Sequence, residues 1–221
     1  MNIRQKSLRT FMAEQEIELA IIMHPENQFY LSGFKAIIYS RPIVLVIEKE
    51  SVDLIIPALE EEHARREAKV DQIHVYYEHP EKAKQGTTYL EMLDKILSKY
   101  QRSLKIGTEF GVASIHLSKY LRRAGHEVVD LGQEIAKMRA IKDDNEIAAM
   151  MESAKLVNLA LKASLENAQA GISELELDQF GNKALLEEVA KKHPNSTVDY
   201  FVMSPSGLAR SIMPHVYSST R

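Results

Sequence analysis

Short apolar runs alternate with amphipathic stretches through the first 132 positions. "NIRQKSLRTFMAEQE" sets Ile3, Leu8, Phe11 and Met12 at helical spacing, which predicts a helix with one buried face. "ELAIIM" follows as a short buried strand. "PENQFYLSG" opens on Pro25 and closes on Gly33, the residues that favour a helix start and a helix stop. "PIVLVIEK" and "VDLIIP" read as two strands joined in a hairpin through "EKES". Next come a polar helix in "ALEEEHARREAK", a strand in "QIHVYYE" and a helix in "TTYLEMLDKILSKY". "SLKIGTE" gives a strand, "SIHLSKYLRRAG" a helix ended by Gly125, and "HEVVDLG" a last strand. Such alternation predicts a layered α/β domain over residues 1–132.

The pattern then changes. "DDNEIAAMMESAKLVNLALKASLENAQAG" is one long helix, with Asp143 and Glu146 at capping-box spacing and Gly171 as its stop. Ile147, Met150, Met151, Ala154, Val157, Leu161 and Leu165 share one face. Ser173 and Glu176 repeat the cap before a second helix through "ELELDQFGNKALLEEVAKKH". "VDYFVMS" is a strand, "PSGLAR" a polar turn and "SIMPHVY" a second strand. Two helices and half a hairpin leave strand edges open, which folded proteins avoid. Residues 143–221 therefore read as an incomplete part of a domain, joined to the first by a linker over 133–142.

Composition narrows the class. The chain has 221 residues, 45% apolar and 27% charged, with a formal net charge of −3. This balance is that of a globular protein and calls for neither nucleic acid nor an anionic membrane as partner. No cysteine is present, which excludes thiolate metal sites and suits a reducing compartment. The start carries no secretory apolar segment, and no apolar run approaches a bilayer span. The expectation is a soluble cytoplasmic protein.

No local motif by itself carries chemistry. In "HVYYEH" strand alternation sends His74 and His79 to opposite faces, and the spacing is not that of a helical zinc site. They read as surface or edge histidines. "EEEHARRE" is a solvated, charge-laced helix face, and the basic "KYLRRAGH" lacks the interleaved aromatics of a nucleic-acid surface. There is no dinucleotide or phosphate-loop pattern, and "SPSG" is a turn rather than a nucleophile elbow.

The order of words is more informative than any one of them. "NQFYLSGF" (Asn27 to Phe34), "SRPIVLVIEKE", "IIPALEEEHA", "KIGTE" (Lys105 to Glu109) and "VVDLG" come in that sequence. "KMRAIKDDNEIAAMMESAKLVNLAL", "AGISELEL" and "VMSPSGLARSIMPHVYSSTR" follow. Together they resemble the pita-bread metallohydrolases: Xaa-Pro dipeptidase (prolidase), aminopeptidase P and creatinase. The linker word, similar to L/M-R-x-I-K-x-x-x-E-I, is the most specific. The resemblance implies an α/β N-terminal domain, a mixed sheet with flanking helices. It implies that the first, incomplete part of an α+β pita-bread domain follows.

It also implies a chemistry. The family holds two divalent ions, for which Mn, Zn or Co suit the ligand set, on two Asp, one His and two Glu. Their bridging water attacks the amide bond before proline in a di- or oligopeptide. His215 matches the histidine of the family's P-H word and is the candidate catalytic residue, able to move protons near neutral pH. Tyr39 and Arg41 of "YSRP" match a loop that reaches the neighbouring subunit in family dimers. They are candidate substrate-binding residues, since an arginine fork suits a carboxylate; the plainer reading of Arg41 is a surface ion pair. All five ligands follow the P-H word in the family, in strands beyond Arg221. Asp143, Asp144 and Glu146 serve a helix start, and Asp199 lacks partners at ligand spacing. The chain itself is thus expected to hold no metal and to hydrolyse nothing, its complete form being a homodimeric peptidase. Two alternatives stay open: a creatinase- or ectoine-hydrolase-like C–N hydrolase of a small molecule, and a non-catalytic pita-bread binding module.

Overall fold

The computed structural model describes residues 2–35, 41–82, 86–198, 204–208, 210–213 and 216–220. They form two compact units, Met1–Ile141 and Lys142–Arg221.

In the first unit, helix α1 (Ile3–Glu14) is capped by the Asn2 side chain, which accepts from Arg4 N at 3.0 Å. It buries Leu8 and Met12 and leaves Ile3, on its first turn, exposed. The chain continues through β1 (Leu19–Ile22), α2 (Pro25–Ser32), β2 (Val44–Glu48), β3 (Val52–Pro57), α3 (Glu61–Glu67) and β4 (Gln72–Tyr76). Next come α4 (Tyr89–Leu97), β5 (Lys105–Thr108), α5 (Ile115–Arg123), β6 (Glu127–Asp130) and α6 (Gly132–Ala140). Gly33 stops α2 in the left-handed region at φ 74°, a conformation that costs glycine nothing.

The strands make one mixed sheet in the order β4-β3-β2-β1-β5-β6. The expected hairpin is present: β2 pairs antiparallel with β3 and also with β1, while β1/β5, β5/β6 and β3/β4 are parallel. One face buries Ala20, Ile22, Leu45, Ile47 and Leu54 with Leu8, Leu31 and Ala64 of α1, α2 and α3. The other buries Ile21, Val44, Val46 and Ile55 with Met92 and Ile96 of α4 and Leu117 and Leu121 of α5. Helices on both faces explain why β1, β2 and β3 read as continuous apolar runs rather than alternating ones. Each such Leu or Ile contributes roughly 1.5–3 kcal/mol by leaving water.

Most of the segment read as a linker belongs to this unit. Residues 132–140 form α6, and Leu131 and Ile135 are fully buried in the first face of the core.

The second unit contains α7 (Asp144–Asn167) and α8 (Glu174–Lys192), each opened by a complete capping box, Asp143 with Glu146 and Ser173 with Glu176. The helices are tied by Ser164 Oγ, which donates to Leu177 O at 3.1 Å. Ile147, Met150, Met151, Val157, Leu161 and Leu165 of α7 are exposed, and among this unit's described residues Val189 is the buried large apolar side chain. "VDYFVMS" falls mostly outside the described residues. The described part of "SIMPHVY" is not a strand: Ser211 N donates to Gly207 O and Met213 N to Arg210 O, both at 3.0 Å, so successive turns take the place of extended backbone.

Candidate functional site

Two buried carboxylates organise the words that gave the sequence its resemblance. Glu109, at the end of "KIGTE", is 2% exposed. Its Oε2 accepts from Met23 N at 2.6 Å and His24 N at 2.8 Å, the backbone entering α2. Its Oε1 accepts from Asn27 Nδ2 at 2.5 Å, and Asn27 Oδ1 accepts from Arg139 Nη1 at 2.8 Å. Asn27 stands in "NQFYLSGF" and Arg139 in "KMRAIK", so three separated words close on one another. This chain of bonds joins β5 to α2 and α2 to α6.

Glu174 plays the corresponding part in the second unit. It is 3% exposed and occupies the first position of α8. Ser206 donates to its Oε1 from backbone N at 2.6 Å and from Oγ at 2.7 Å. Ser219 donates to its Oε2 from N at 2.8 Å and Oγ at 3.0 Å, and Arg210 Nη2 donates at 2.9 Å. Arg210 Nη2 also reaches Tyr217 O at 2.6 Å, and Ser204 N donates to Ser218 Oγ at 2.8 Å. The two ends of the segment 206–219 are thereby brought onto one side chain, the layout of an Ω-loop. The Ser206 hydroxyl first, then its backbone N–H, together with both donors of Ser219, hold the Glu174 carboxyl at about 2. With both oxygens taken up by donors, Glu174 serves as neither base nor metal ligand.

His215 and Tyr39 lie outside the described residues. Arg41 is half exposed, and its Nε donates to Glu78 Oε2 at 2.5 Å. His74 sits on the edge strand β4 and pairs through Nε2 with Asp53 Oδ2 at 2.9 Å, while His79 is exposed beside Glu81. Asp53 is fully buried and shares Lys99 with Glu48, at 3.9 and 3.1 Å. Burial alone would raise the Glu48 carboxyl, but bonds from Tyr100, Ser51 and Lys99 outweigh it and hold it below its ordinary value. Among the described residues no group of three or more His, Asp or Glu side chains is placed to hold a metal ion. These residues do not fit the metal pair that the resemblance implies.

The comparisons bear on the first unit most directly. A model of the creatinase/prolidase N-terminal domain matches residues 4–141. The chain belongs to the creatinase/prolidase family. The matched N-terminal domain includes α6 and Arg139 and ends where the first compact unit ends. The dipeptidase-like protein YkvY of Bacillus subtilis (strain 168) is 28% identical over 178 residues, 79% of this chain and 47% of that protein. The Xaa-Pro dipeptidase of Pyrococcus horikoshii is 24% identical over 225 residues, 100% of this chain and 56% of the relative. The solved Xaa-Pro dipeptidase from Bacillus anthracis superposes with a TM-score of 0.76 at 20% identity, covering 99% of this chain and 56% of that one, which shows a shared fold. The chain spans about half the length of the curated relatives it matches. Among the described residues no helix is long and apolar enough to cross a membrane.

Sequence reasoning did not single out Glu109, Asn27, Arg139 or Glu174. One signal was available for the last: Ser173 and Glu176 already complete the cap, so an extra acid between them is surplus to helix initiation.

Proposed function

We propose that this chain serves an Xaa-Pro dipeptidase-type hydrolase that cleaves the amide bond before proline in di- or oligopeptides. In this reading the creatinase/prolidase N-terminal domain governs access and homodimerisation. Residues 142–221 form the first part of the catalytic domain. His215 holds and moves a proton at the reacting amide, a task suited to an imidazole side chain. Tyr39 and Arg41 contact the substrate, and a substrate carboxylate at Arg41 replaces Glu78. The two divalent ions (Mn, Zn or Co) would be bound by residues in the part of the relatives that this chain does not span. They would supply the activated water. The observation that carries the reading is the match to an Xaa-Pro dipeptidase along 100% of this chain, which extends past the N-terminal domain and through the sequence that contains His215.

The test compares the 221-residue chain with the protein isolated from its source cells. Intact mass is measured, as is proline release from Ala-Pro and Gly-Pro with Mn²⁺. The expected result is a native mass above 25.1 kDa with His215-dependent proline release, and no release by the short chain. No release by the metal-loaded native protein would remove the peptidase reading. Metal-free cleavage of a small amidino compound would favour the creatinase-type alternative. A native mass of 25.1 kDa with a co-purifying partner would favour the binding module.

A further inference from the structure

We infer that a cleft between α1 and the β2–β3 turn is a binding site for a small organic monoanion, a flat apolar body that carries one carboxylate at its end. The cleft holds about 540 Å³, within the usual range for small-molecule sites. All of its lining residues belong to the first unit. None of them takes part in the Glu109 network or in the peptidase reading above, so the inference stands apart from both.

Arg9, Met12, Ala13 and Glu16 line the cleft at i, i+3, i+4 and i+7, one stripe of α1 and the turn after it. By the rise of a helix, the two ends of that stripe stand about 10 Å apart. Between them Met12 and Ile17, both buried, and the Tyr100 ring give an apolar lining suited to a flat ring. The two ends differ in charge. Arg9 donates from Nε to Glu48 O at 2.9 Å and from Nη2 to Ser51 O at 3.0 Å, on either side of Lys49. Neutral carbonyls therefore fix the guanidinium and leave its charge uncancelled. Lys49 also lines the cleft, and no acid among the described residues pairs with either cation. The nearby Glu48 carboxylate is already answered by Lys99 at 3.1 Å and by the Tyr100 hydroxyl, which donates at 2.5 Å. Burial first, then that bond, pushes the Tyr100 phenol up to about 12, so its ring stays neutral. At the far end Glu18 is matched by Arg102, whose Nη1 donates at 3.0 Å, which leaves Glu16 as the uncancelled acid. Two cations at one end attract one anionic group, and the acid at the other disfavours a second. Glu16 also stands at φ 56°, strained backbone of the kind that gathers at ligand sites.

The experiment titrates the 221-residue chain with 3-phenylpropionate and follows backbone amide shifts by NMR. Saturable shifts confined to Met12, Ala13, Ile17 and Lys49 are expected, with a Kd of about 1 mM or tighter for so small a probe. The neutral analogue 3-phenylpropionamide should bind about ten-fold more weakly, since it forfeits the charge-assisted bonds. Lys49→Gln should weaken the acid by about three-fold and leave the amide unaffected. Lys49 is exposed, so this variant keeps its fold, whereas Arg9→Gln also removes two bonds to the hairpin. The dianion 4-(2-carboxyethyl)benzoate should bind more weakly than 3-phenylpropionate, and Glu16→Gln should narrow that gap. Absence of saturable shifts up to about 10 mM would overturn the site. Equal binding of acid and amide, or an unchanged affinity in Lys49→Gln, would overturn the selection for an anion. A dianion that binds as well as the monoanion would overturn the assigned polarity. Peptide cleavage enters none of these readouts.

Discussion

Replacing Glu109 with glutamine keeps its size and removes one charge, and the direction of the surrounding hydrogen bonds sets the outcome. The network runs between two sets of obligate donors, the Met23 and His24 amides at one end and the Arg139 guanidinium at the other. Asn27 accepts on one side and donates on the other, so the position at 109 must accept throughout. A glutamine there can accept from the two amides only by turning its own NH₂ toward Asn27. Asn27 must then flip to accept it and face its NH₂ to Arg139. One buried bond to a charged group is lost in either arrangement, about 2 kcal/mol. At roughly 2.1 cal/mol/K per residue, a unit running to residue 141 unfolds with an entropy near 0.3 kcal/mol/K, so Tm should fall by about 7 °C. Asn27→Asp alone should cost at least as much, since it sets two buried carboxylates against each other. The pair Asn27→Asp with Glu109→Gln restores the parity: the new glutamine accepts from the amides and donates to the new aspartate, which accepts from Arg139. Calorimetry of the four proteins, with amide exchange in α6 identifying the transition, forms a double-mutant cycle. A Glu109→Gln Tm within about 2 °C of the parent, or a double variant no more stable than the worse single one, would refute the directional argument.

Gly107→Ala should destabilise the first unit by about 1–3 kcal/mol in urea unfolding, because its new Cβ would lie 2.3 Å from Leu131 Cδ1 and 2.5 Å from Cγ; a loss under half a kilocalorie would mean that Leu131 repacks freely. Glu16→Gly should stabilise the same unit by about 0.5–1 kcal/mol, since Glu16, just past the Gln15 C-cap of α1, stands at φ 56° where glycine is unstrained. Unaltered or lower stability would show that the Glu16 side chain contributes more than its backbone costs. The Glu174 carboxyl is depressed from 4.5 to about 2, so the stability it adds is complete above pH 4.5 and lost as pH falls through about 2. A carbon-13 titration of its carboxyl should show that midpoint; one near 4.3 would mean that the donors do not hold it in solution.

Nearly every element was legible in the pattern of residues, because each rests on a local cause. The capping boxes at Asp143 and Ser173, the stop at Gly33 and the apolar runs of β1, β2 and β3 require only near neighbours. The packing of α6 was not legible, because Leu131 and Ile135 declare themselves only against a sheet built earlier in the chain. Where a strand was expected in "SIMPHVY", the described residues 211–213 turn, with Ser211 N on Gly207 O and Met213 N on Arg210 O, contacts that the pattern of residues does not announce. Family membership was also readable, since an ordered set of words survives where no single motif is strong. The purpose of those words was not. The sequence by itself determined which segments become helix or strand and which family they compose. Tertiary structure alone decided that Asn27, Glu109 and Arg139 meet, and that Glu174 gathers Ser206, Arg210 and Ser219. Periodicity records which way a side chain faces, whereas the partner of a buried charge is fixed only when segments distant in sequence close around it.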